Sequence, residues 1–175
     1  MFIEHKNIMI RNATADDAAQ LAKWWNDGSI MAHAGFPNGL NTSAEKVKIQ
    51  ISCDSDSTVR RLIIEENGKA IGEMVFRIKQ GNTAEIGVKI CDFSRQNIGI
   101  GKIALSMLIK ALFKTGIARI VLDTDLENKR AQHVYEEIGF KMTGIRTDSW
   151  RNQIGQLRSA VDYELHPYNF IDFAV

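Results

Sequence analysis

The chain has 175 residues, of which 45% are hydrophobic and 25% charged, and its formal net charge is +1. This composition is typical of one soluble globular domain, which we expect to span residues 1–175. So small a net charge gives no electrostatic basis for nucleic acid or a membrane surface as a general partner.

The N-terminal segment and the cysteines add further expectations. Residues 1–14 carry charged side chains without an apolar run, and no stretch reaches the length of a membrane span. We therefore expect a cytoplasmic protein. Cys53 and Cys91 lie far apart and show no ligand spacing, so neither a disulfide framework nor a metal site is expected.

Two helices are predicted in the first third of the chain. A short strand over residues 8–10 leads to Thr14, an N-cap residue that is followed by acidic residues of a first helical turn. Apolar residues up to Trp25 then recur at helical spacing and form a buried face, whereas Trp24 falls off that face. A second helix begins after Ser43.

Between these helices, residues 28–42 lack clear periodicity and predict a loop with at most one helical turn. Loops of this length often carry function. His33, Phe36 and Asn38 are therefore candidate contacts for a substrate, although a lone histidine in a loop is more often solvated.

From residue 58 onward the pattern changes to strands. Segments 62–65 and 70–79 flank Asn67–Gly68, a dipeptide that favours a tight hairpin turn. Residues 84–91 then alternate apolar side chains with polar ones or glycine. This alternation indicates a third antiparallel strand with one buried face.

Two glycines, Gly99 and Gly101, stand between that strand and an amphipathic helix predicted over residues 100–114. Free N–H groups in the first turn of a helix bind anions, and glycine lets a ligand approach the backbone closely. Such a phosphate-binding loop fits three classes of protein: nucleotide P-loops, dinucleotide-binding folds and acyl-CoA-dependent transferases.

The flanking residues distinguish these classes. A P-loop needs Ser or Thr after its Lys, and Lys102 is followed by Ile103. Residues 99–104 do fit G-x-G-x-x-G/A, with Asp123 at the expected distance downstream. Against a dinucleotide-binding fold, the polar or mixed residues 92–97 separate the strand from the glycines, and hairpin strands come before them.

The remaining elements are one helix and three strands. Residues 120–122 predict a short buried strand, and the helix that follows it ends at Gly139. Residues 140–146 and 159–165 complete the sheet, with an exposed hairpin connection over residues 148–156.

Two motifs carry a family resemblance. Gln96–Gly101 resembles the Q/R-x-x-G-x-G/A motif of the GNAT N-acetyltransferases, and Asn128–Phe140 resembles that family's N-x-R-A-x-x-x-Y-x-x-x-G-F block. The motifs lie about 30 residues apart, as in the family, and the resemblance covers roughly residues 8–165. A first helix that ends in Trp24–Asp27 is similar to the RimJ/RimL-like branch.

The resemblance implies an α/β (α+β) fold, with a mixed, mostly antiparallel sheet of six or seven strands and helices on both faces. Its distinguishing feature is a parallel pair of strands that end near Cys91 and Asp123 and are joined by the helix over residues 100–114. The first of these strands splays from its partner, and its backbone holds the pantetheine arm of CoA, with Gly87 easing a bulge.

The implied activity is that of an acetyl-CoA-dependent N-acetyltransferase. Acetyl would pass directly, in a ternary complex, to a primary amine of a protein N-terminus or a small compound, and no metal is expected. Residues 28–42 and 148–156 would form the acceptor cleft, where a strongly acidic lining would favour polycationic amines. A non-catalytic acyl-CoA sensor is the alternative, a dinucleotide-binding domain is less favoured, and a homodimer stays open.

Ten residues are candidates for binding acetyl-CoA. In the resemblance, loop N–H groups and the Lys102 charge hold the diphosphate, a backbone N–H at the strand end binds the oxyanion, and Asn128 contacts CoA or a water while capping its helix. The ten residues are Ile90, Cys91, Gln96, Asn97, Ile98, Gly99, Ile100, Gly101, Lys102 and Asn128.

Two residues are candidates for proton transfer. Tyr135 resembles the family's general acid, which protonates the CoA thiolate, and it lies two helical turns after Asn128, so both can face one cleft. The alternative for Tyr135 is a core aromatic. Glu85, on the polar face of the strand beside the cleft, is the candidate base, and its alternative is a solvated carboxylate.

Overall fold

One mixed sheet of eight strands organises the fold in the computed structural model, which describes residues 1–175. The strands are β1 (Phe2–His5), β2 (Ile8–Asn12), β3 (Val59–Glu66), β4 (Lys69–Lys79), β5 (Thr83–Ile90), β6 (Arg119–Asp125), β7 (Lys141–Arg151) and β8 (Leu157–Leu165). They lie in the order β1-β2-β3-β4-β5-β6-β8-β7, and only β5 and β6 are parallel neighbours. The expected mixed, mostly antiparallel α/β fold is confirmed.

Helices cover both faces of this sheet, as expected. They are α1 (Ala18–Asn26), α2 (Gly28–Met31), α3 (Ala44–Ser52), α4 (Ile100–Lys114) and α5 (Lys129–Ile138). Successive side chains of a strand point to opposite faces. Ile64 of β3 therefore packs in one core with α4 and α5, whereas its neighbour Ile63 packs in another core with α1 and α3.

The sheet has eight strands where six or seven were expected. β1 pairs with β2 across a turn in which Lys6 has a φ of 54°, and a four-residue segment before such a turn carries no clear strand pattern. β7 continues past the predicted end at residue 146 to Arg151, because an irregularity around Asp148 (φ 47°) absorbs the extra residues. The hairpin connection therefore shortens to residues 152–156.

Glycine ends α5 for a steric reason. Gly139 has a φ of 104°, and a Cβ added there would lie 1.9 Å from the carbonyl oxygen of Asn169. The predicted helix end is confirmed, and it lets the chain turn directly into β7.

The parallel pair separates soon after it forms. Register pairing between β5 and β6 covers three positions, the last of them Glu85 opposite Val121. The pairing of β5 with β4 meanwhile continues without a shift to Ile90, so the predicted bulge at Gly87 is absent. Since β6 leaves while β5 stays with β4, a gap opens between the two parallel strands.

Candidate active site

A cavity of about 1640 Å³ fills the gap between β5 and β6 and extends to both faces of the sheet. On the face of α4 and α5 it is lined by five residues of the segment 96–102, which we call the glycine loop, and by the start of α5. On the face of α1 it is lined by Trp25, Trp150 and residues of the α1–α3 connection. A ligand on one face can therefore reach a ligand on the other through the gap.

The glycine loop presents free backbone donors to this cavity. Gly99 caps α4 with a φ of 88°, and the N–H of Ile103 is the first to bond back along the helix, to the Gly99 carbonyl at 3.1 Å. The N–H groups of Ile100, Gly101 and Lys102 come before that bond and have no intrahelical acceptor. Together with the positive end of the helix dipole they form an anion site.

Two side chains fix the loop to the rest of the fold. Gln96 donates from Nε2 to the Ile90 carbonyl at 2.8 Å, which ties the loop to the end of β5. Arg130, on α5, donates to Gln96 Oε1 at 3.0 Å and to Asn97 Oδ1 at 3.2 Å. Both acceptors of the guanidinium are neutral, so Arg130 keeps its charge for an anion beside the loop.

Lys102 lines the cavity, but its charge is directed elsewhere. The ammonium lies 3.2 Å from both carboxylate oxygens of Glu137 and 4.2 Å from the ring centroid of Phe173. These contacts neutralise Lys102 and hold it against α5 and the C-terminal segment. Arg130, which sequence reasoning did not single out, is the cation held at the loop.

The edge of β5 exposes peptide groups in the gap. The Cys91 N–H donates to the Ile71 carbonyl at 2.8 Å, which makes residues 91 and 71 a hydrogen-bonded pair of the antiparallel ladder. Because such pairs alternate, the peptide groups of Val88 and Ile90 point away from β4 and toward the gap. Ile90 therefore offers an N–H to a ligand, and Cys91 does not.

Seven of the ten candidate cofactor residues line the cavity: Ile90, Gln96, Asn97, Gly99, Gly101, Lys102 and Asn128. The other three lie outside the lining. Cys91 is buried, and burial together with the charge of Glu73 raises the pKa of its thiol to about 12. The side chain of Ile98 is exposed and that of Ile100 enters the core, so these two can contribute only backbone groups.

Asn128 holds the start of α5. Its side-chain oxygen accepts from the Ala131 N–H at 3.3 Å, and its amide nitrogen donates to Thr124 Oγ1 at 3.2 Å. The capping role is confirmed, and the second bond joins the helix to the end of β6. Asn128 and Thr124 both line the cavity, so the cap is itself part of the site.

Tyr135 combines a buried ring with a free hydroxyl. The residue is 8% exposed and packs against the rings of Phe140 and Tyr163, so it belongs to the core as well as to the cavity lining. Its hydroxyl makes no hydrogen bond within the chain. The oxygen is not one of the fully buried polar atoms without a partner, so it remains accessible from the cavity. Burial, with a further contribution from the charge of Asp123, raises the pKa of this phenol to about 12.

Glu85 lies outside the cavity. Its carboxylate pairs with Arg77 at 3.1 Å and with Lys79 at 3.0 Å, on the exposed part of the strand pair. Glu73, on the neighbouring strand β4, does line the cavity, at 7% exposure. It accepts from Trp25 Nε1 at 2.9 Å and from Lys89 Nζ at 2.8 Å.

Sequence reasoning missed Glu73 because apolar neighbours surround it in the chain. Strand alternation could have found it, since Glu73 and Arg77 share one face of β4 while Met74 and Phe76 lie in the core of the other face.

The acceptor side of the cavity is closed by two segments that touch. Gln153, in the β7–β8 turn, accepts from the Asn38 N–H at 2.8 Å and donates to the Gly39 carbonyl at 2.8 Å, while its own N–H donates to Gly35 at 2.7 Å. Of the three loop candidates, His33 lines the cavity, and Phe36 and Asn38 do not.

A mixed sheet with a splayed parallel pair, and a helix N-terminus facing the gap as an anion site, is the arrangement that the resemblance to the GNAT N-acetyltransferases implies. The family model described as "Acetyltransferase (GNAT) domain" matches residues 7–141. This match spans well over half of the sequence, so the chain belongs to the GNAT acetyltransferase family. No curated protein matches the sequence significantly.

Solved structures with the same fold cover nearly the whole chain. RimL, a ribosomal L7/L12 alpha-N-protein acetyltransferase in complex with coenzyme A, has 19% identity and a TM-score of 0.85, covering 95% of this chain and 98% of its own. Spermidine N-acetyltransferase from Vibrio cholerae, in complex with CoA and spermine, has 20% identity and a TM-score of 0.83, covering 93% and 97%.

A third structure, yncA from Salmonella typhimurium, is a putative acetyltransferase with its cofactor acetyl-CoA. It has 21% identity and a TM-score of 0.75, covering 92% of this chain and 94% of its own. At these identities the likeness concerns the fold.

None of the helices in the protein combines the length and the apolar character that crossing a membrane requires.

Proposed function

We propose that the protein moves an acetyl group from acetyl-CoA to a primary amine, by direct attack of the amine within a ternary complex. One observation carries this proposal. The free N–H groups of the glycine loop, the exposed peptide groups of β5 and the free hydroxyl of Tyr135 all meet in one cavity that crosses the sheet. Anion binding, thioester binding and proton donation are the functions that acetyl transfer needs together.

In this mechanism the glycine loop and Arg130 hold the diphosphate of acetyl-CoA, and the edge of β5 binds the pantetheine arm. The amine nitrogen attacks the thioester carbonyl carbon from the α1 face of the sheet. The Ile90 N–H stabilises the negative oxygen of the tetrahedral intermediate. As the carbon–sulfur bond breaks, Tyr135 acts as the general acid by donating a hydrogen bond to the departing thiolate.

A reacting amine must first lose a proton, and Glu73 is the carboxylate placed to accept it, directly or through water. It lines the cavity, whereas the carboxylate of Glu85 is held outside by Arg77 and Lys79. A carboxylate accepts up to four hydrogen bonds, so the bonds from Trp25 and Lys89 leave room for a further donor.

Glu73→Gln is expected to lower kcat/KM on the order of 10²-fold, because the carboxamide keeps an acceptor for Trp25 but cannot take a proton. Glu85→Gln is the matched control and should behave as wild type. Equal effects of the two substitutions would contradict the role of Glu73.

Two measurements test the proposed function itself. Calorimetry should show binding of acetyl-CoA and no binding of NADH, which would separate a CoA site from a dinucleotide site. Thiol release from acetyl-CoA should then depend on added primary amine. Acetyl-CoA binding without release by any amine would instead indicate an acyl-CoA sensor.

A further inference from the structure

The acceptor side of the cavity has one strongly basic wall. We use the term basic wall for Lys46, Arg61, Arg77 and Lys89, the cations that α3, β3, β4 and β5 contribute to the cavity lining. Glu73 is the carboxylate that lines the cavity among them. A ligand at this wall therefore meets four cations and one carboxylate.

A chain of contacts makes this wall continuous. Lys46 and Gln50 lie one turn apart on the same side of α3. Arg61 donates to the backbone oxygen and to Oε1 of Gln50, both at 3.3 Å, and its guanidinium lies 6.0 Å from the centroid of the Trp25 ring. Trp25 in turn bonds Glu73, which holds Lys89.

Lys46 is the member of the wall whose charge is not balanced. Arg61 pairs with Asp54 and Arg77 pairs with Glu85, two carboxylates that lie behind the wall and outside the lining. Lys89 pairs with Glu73. No carboxylate of the chain lies within ion-pair distance of Lys46, so the basic wall keeps a net positive charge at its rim.

The opposite wall carries the reverse charge. Asp123, Asp125 and Glu127 line the cavity at and after the end of β6. Arg146 pairs with Asp123 at 2.6 Å and also with Asp162, while Arg158 pairs with both Asp125 and Glu127. Four carboxylates, of which Asp162 lies outside the lining, share two arginines. Lys129, at the start of α5, adds one cation to the lining, so one net negative charge remains on this wall.

The negative wall lies where the reacting amine must go. The charge of Asp123 helps to raise the pKa of Tyr135, so Asp123 lies close to the proposed general acid. Burial of Asp125 opposes its ionisation, but the hydrogen bonds from Arg158 and from the Glu127 N–H, with the charge of Arg158, together outweigh burial, and the pKa of Asp125 stays below its usual range. An incoming ammonium is therefore attracted to the β6 side of the gap.

From this division of charge we infer that the acceptor is a primary amine that also carries an anionic group, such as a carboxylate. The ammonium would lie in the gap between Glu73 and the carboxylates at β6, and the anionic group would bind at the rim of the basic wall beside Lys46. A polyamine would place a second cation against that wall and be repelled. This inference rests on the proposed function and narrows its substrate class.

Two series of acceptors test the inference. The first has one amine on a four-carbon chain with three different far ends: 4-aminobutyrate, its neutral amide, and putrescine. The second is Ser-Asp-Ala-amide, Ser-Asn-Ala-amide and Ser-Lys-Ala-amide, which present the same charges next to a peptide N-terminus. In the series that is acetylated, kcat/KM should fall from the anionic to the neutral to the cationic member. Acetylation of the first series would indicate a small compound as the acceptor, and acetylation of the second would indicate a peptide N-terminus.

A charge reversal identifies the wall responsible. Lys46→Glu should reduce the anionic-to-cationic ratio of kcat/KM about tenfold, because a weak attraction is replaced by a repulsion of similar size. Lys48→Glu is the matched control, since Lys48 lies on the same helix but outside the cavity lining, and it should leave the ratio unchanged. Because these charges are exposed, the wild-type ratio should also shrink at high salt.

The outcomes separate this inference from the proposed function. Transfer to amines with no charge preference, or an equal effect of Lys46→Glu and Lys48→Glu, would overturn the inference and leave acetyl transfer standing. A preference for putrescine or the lysine peptide would overturn it as well. Absence of transfer to every member, with acetyl-CoA still bound, would overturn the proposed function and the inference with it.

Discussion

Gly101→Glu is expected to weaken acetyl-CoA binding by at least about 100-fold. The substitution places a carboxylate among the free N–H groups of the glycine loop, where the diphosphate would bind. Repulsion between unit charges about 4 Å apart is roughly 1 kcal/mol in water and roughly 4 kcal/mol near a protein surface. Since about 1.4 kcal/mol is a factor of ten, two like charges on the ligand account for the expected loss.

The fold should tolerate this substitution. A Cβ added at Gly101 would lie 3.6 Å from Ile90 Cγ1, an ordinary contact, and the residue does not need a positive φ. An acidic residue in the first turn of α4 also interacts favourably with the helix dipole. The melting temperature should therefore equal or exceed that of the wild type, and calorimetry with acetyl-CoA measures the binding loss separately.

Two further substitutions at the same residue separate charge from volume. Gly101→Gln has nearly the shape of Glu without its charge and should retain much more affinity. Gly101→Ala adds only the Cβ and should bind within a few fold of wild type. If Gly101→Glu and Gly101→Gln weaken binding equally, the loss comes from the volume of the side chain and not from its charge. The anion site would then not be established. Full affinity in Gly101→Glu would show that the diphosphate binds elsewhere.

Local features of the fold could be predicted from the sequence. The helix over residues 100–114 was predicted with its observed bounds, because both of its signals are local in the sequence: the apolar stripe along the helix and the glycines at its start. The hairpin at Asn67–Gly68 follows from two residues that adopt φ values of 51° and 75°. The glycine loop is itself a local motif, which explains why its residues could be identified as candidates from the sequence alone.

Features set by distant contacts could not be predicted in the same way. Glu73 becomes part of the site through Trp25, which is 48 residues away in sequence, and Gln153 closes the acceptor side by bonding Asn38 and Gly39, more than 110 residues away. Such pairings depend on how elements pack. For the same reason Glu85 and Lys102 were plausible candidates whose partners in the fold direct their charges elsewhere.

Tyr135→Phe is expected to lower kcat on the order of 10²-fold while acetyl-CoA binding is retained. The substitution keeps the ring that packs against Phe140 and Tyr163 and removes only a hydroxyl that has no partner within the chain. Unfolding should therefore be little changed, because no intramolecular hydrogen bond is lost. Steady-state kinetics and calorimetry on the same preparation measure the two effects.

The pKa of this phenol defines the expected pH dependence. Burial and the charge of Asp123 raise it to about 12, so in the folded protein the hydroxyl stays protonated at any assay pH well below that value. The range from pH 7 to pH 10 lies below the raised pKa, so activity should not fall in that range through ionisation of Tyr135. Tyr135→Phe should accordingly lower the whole pH profile without changing its shape.

A thiol has an unperturbed pKa of about 8.5, well below that of the phenol, so complete proton transfer to the thiolate is uphill. The hydroxyl contributes by hydrogen bonding to the developing charge on sulfur, which is where a loss in kcat arises.

Tyr163→Phe is the matched control, because its ring touches Tyr135 but its hydroxyl donates to Glu136 and lies outside the cavity lining. It should lose stability through the broken hydrogen bond and retain kcat. Wild-type kcat in Tyr135→Phe, with chemistry shown to be rate-limiting, would leave Tyr135 as a core aromatic whose hydroxyl takes no part in the reaction.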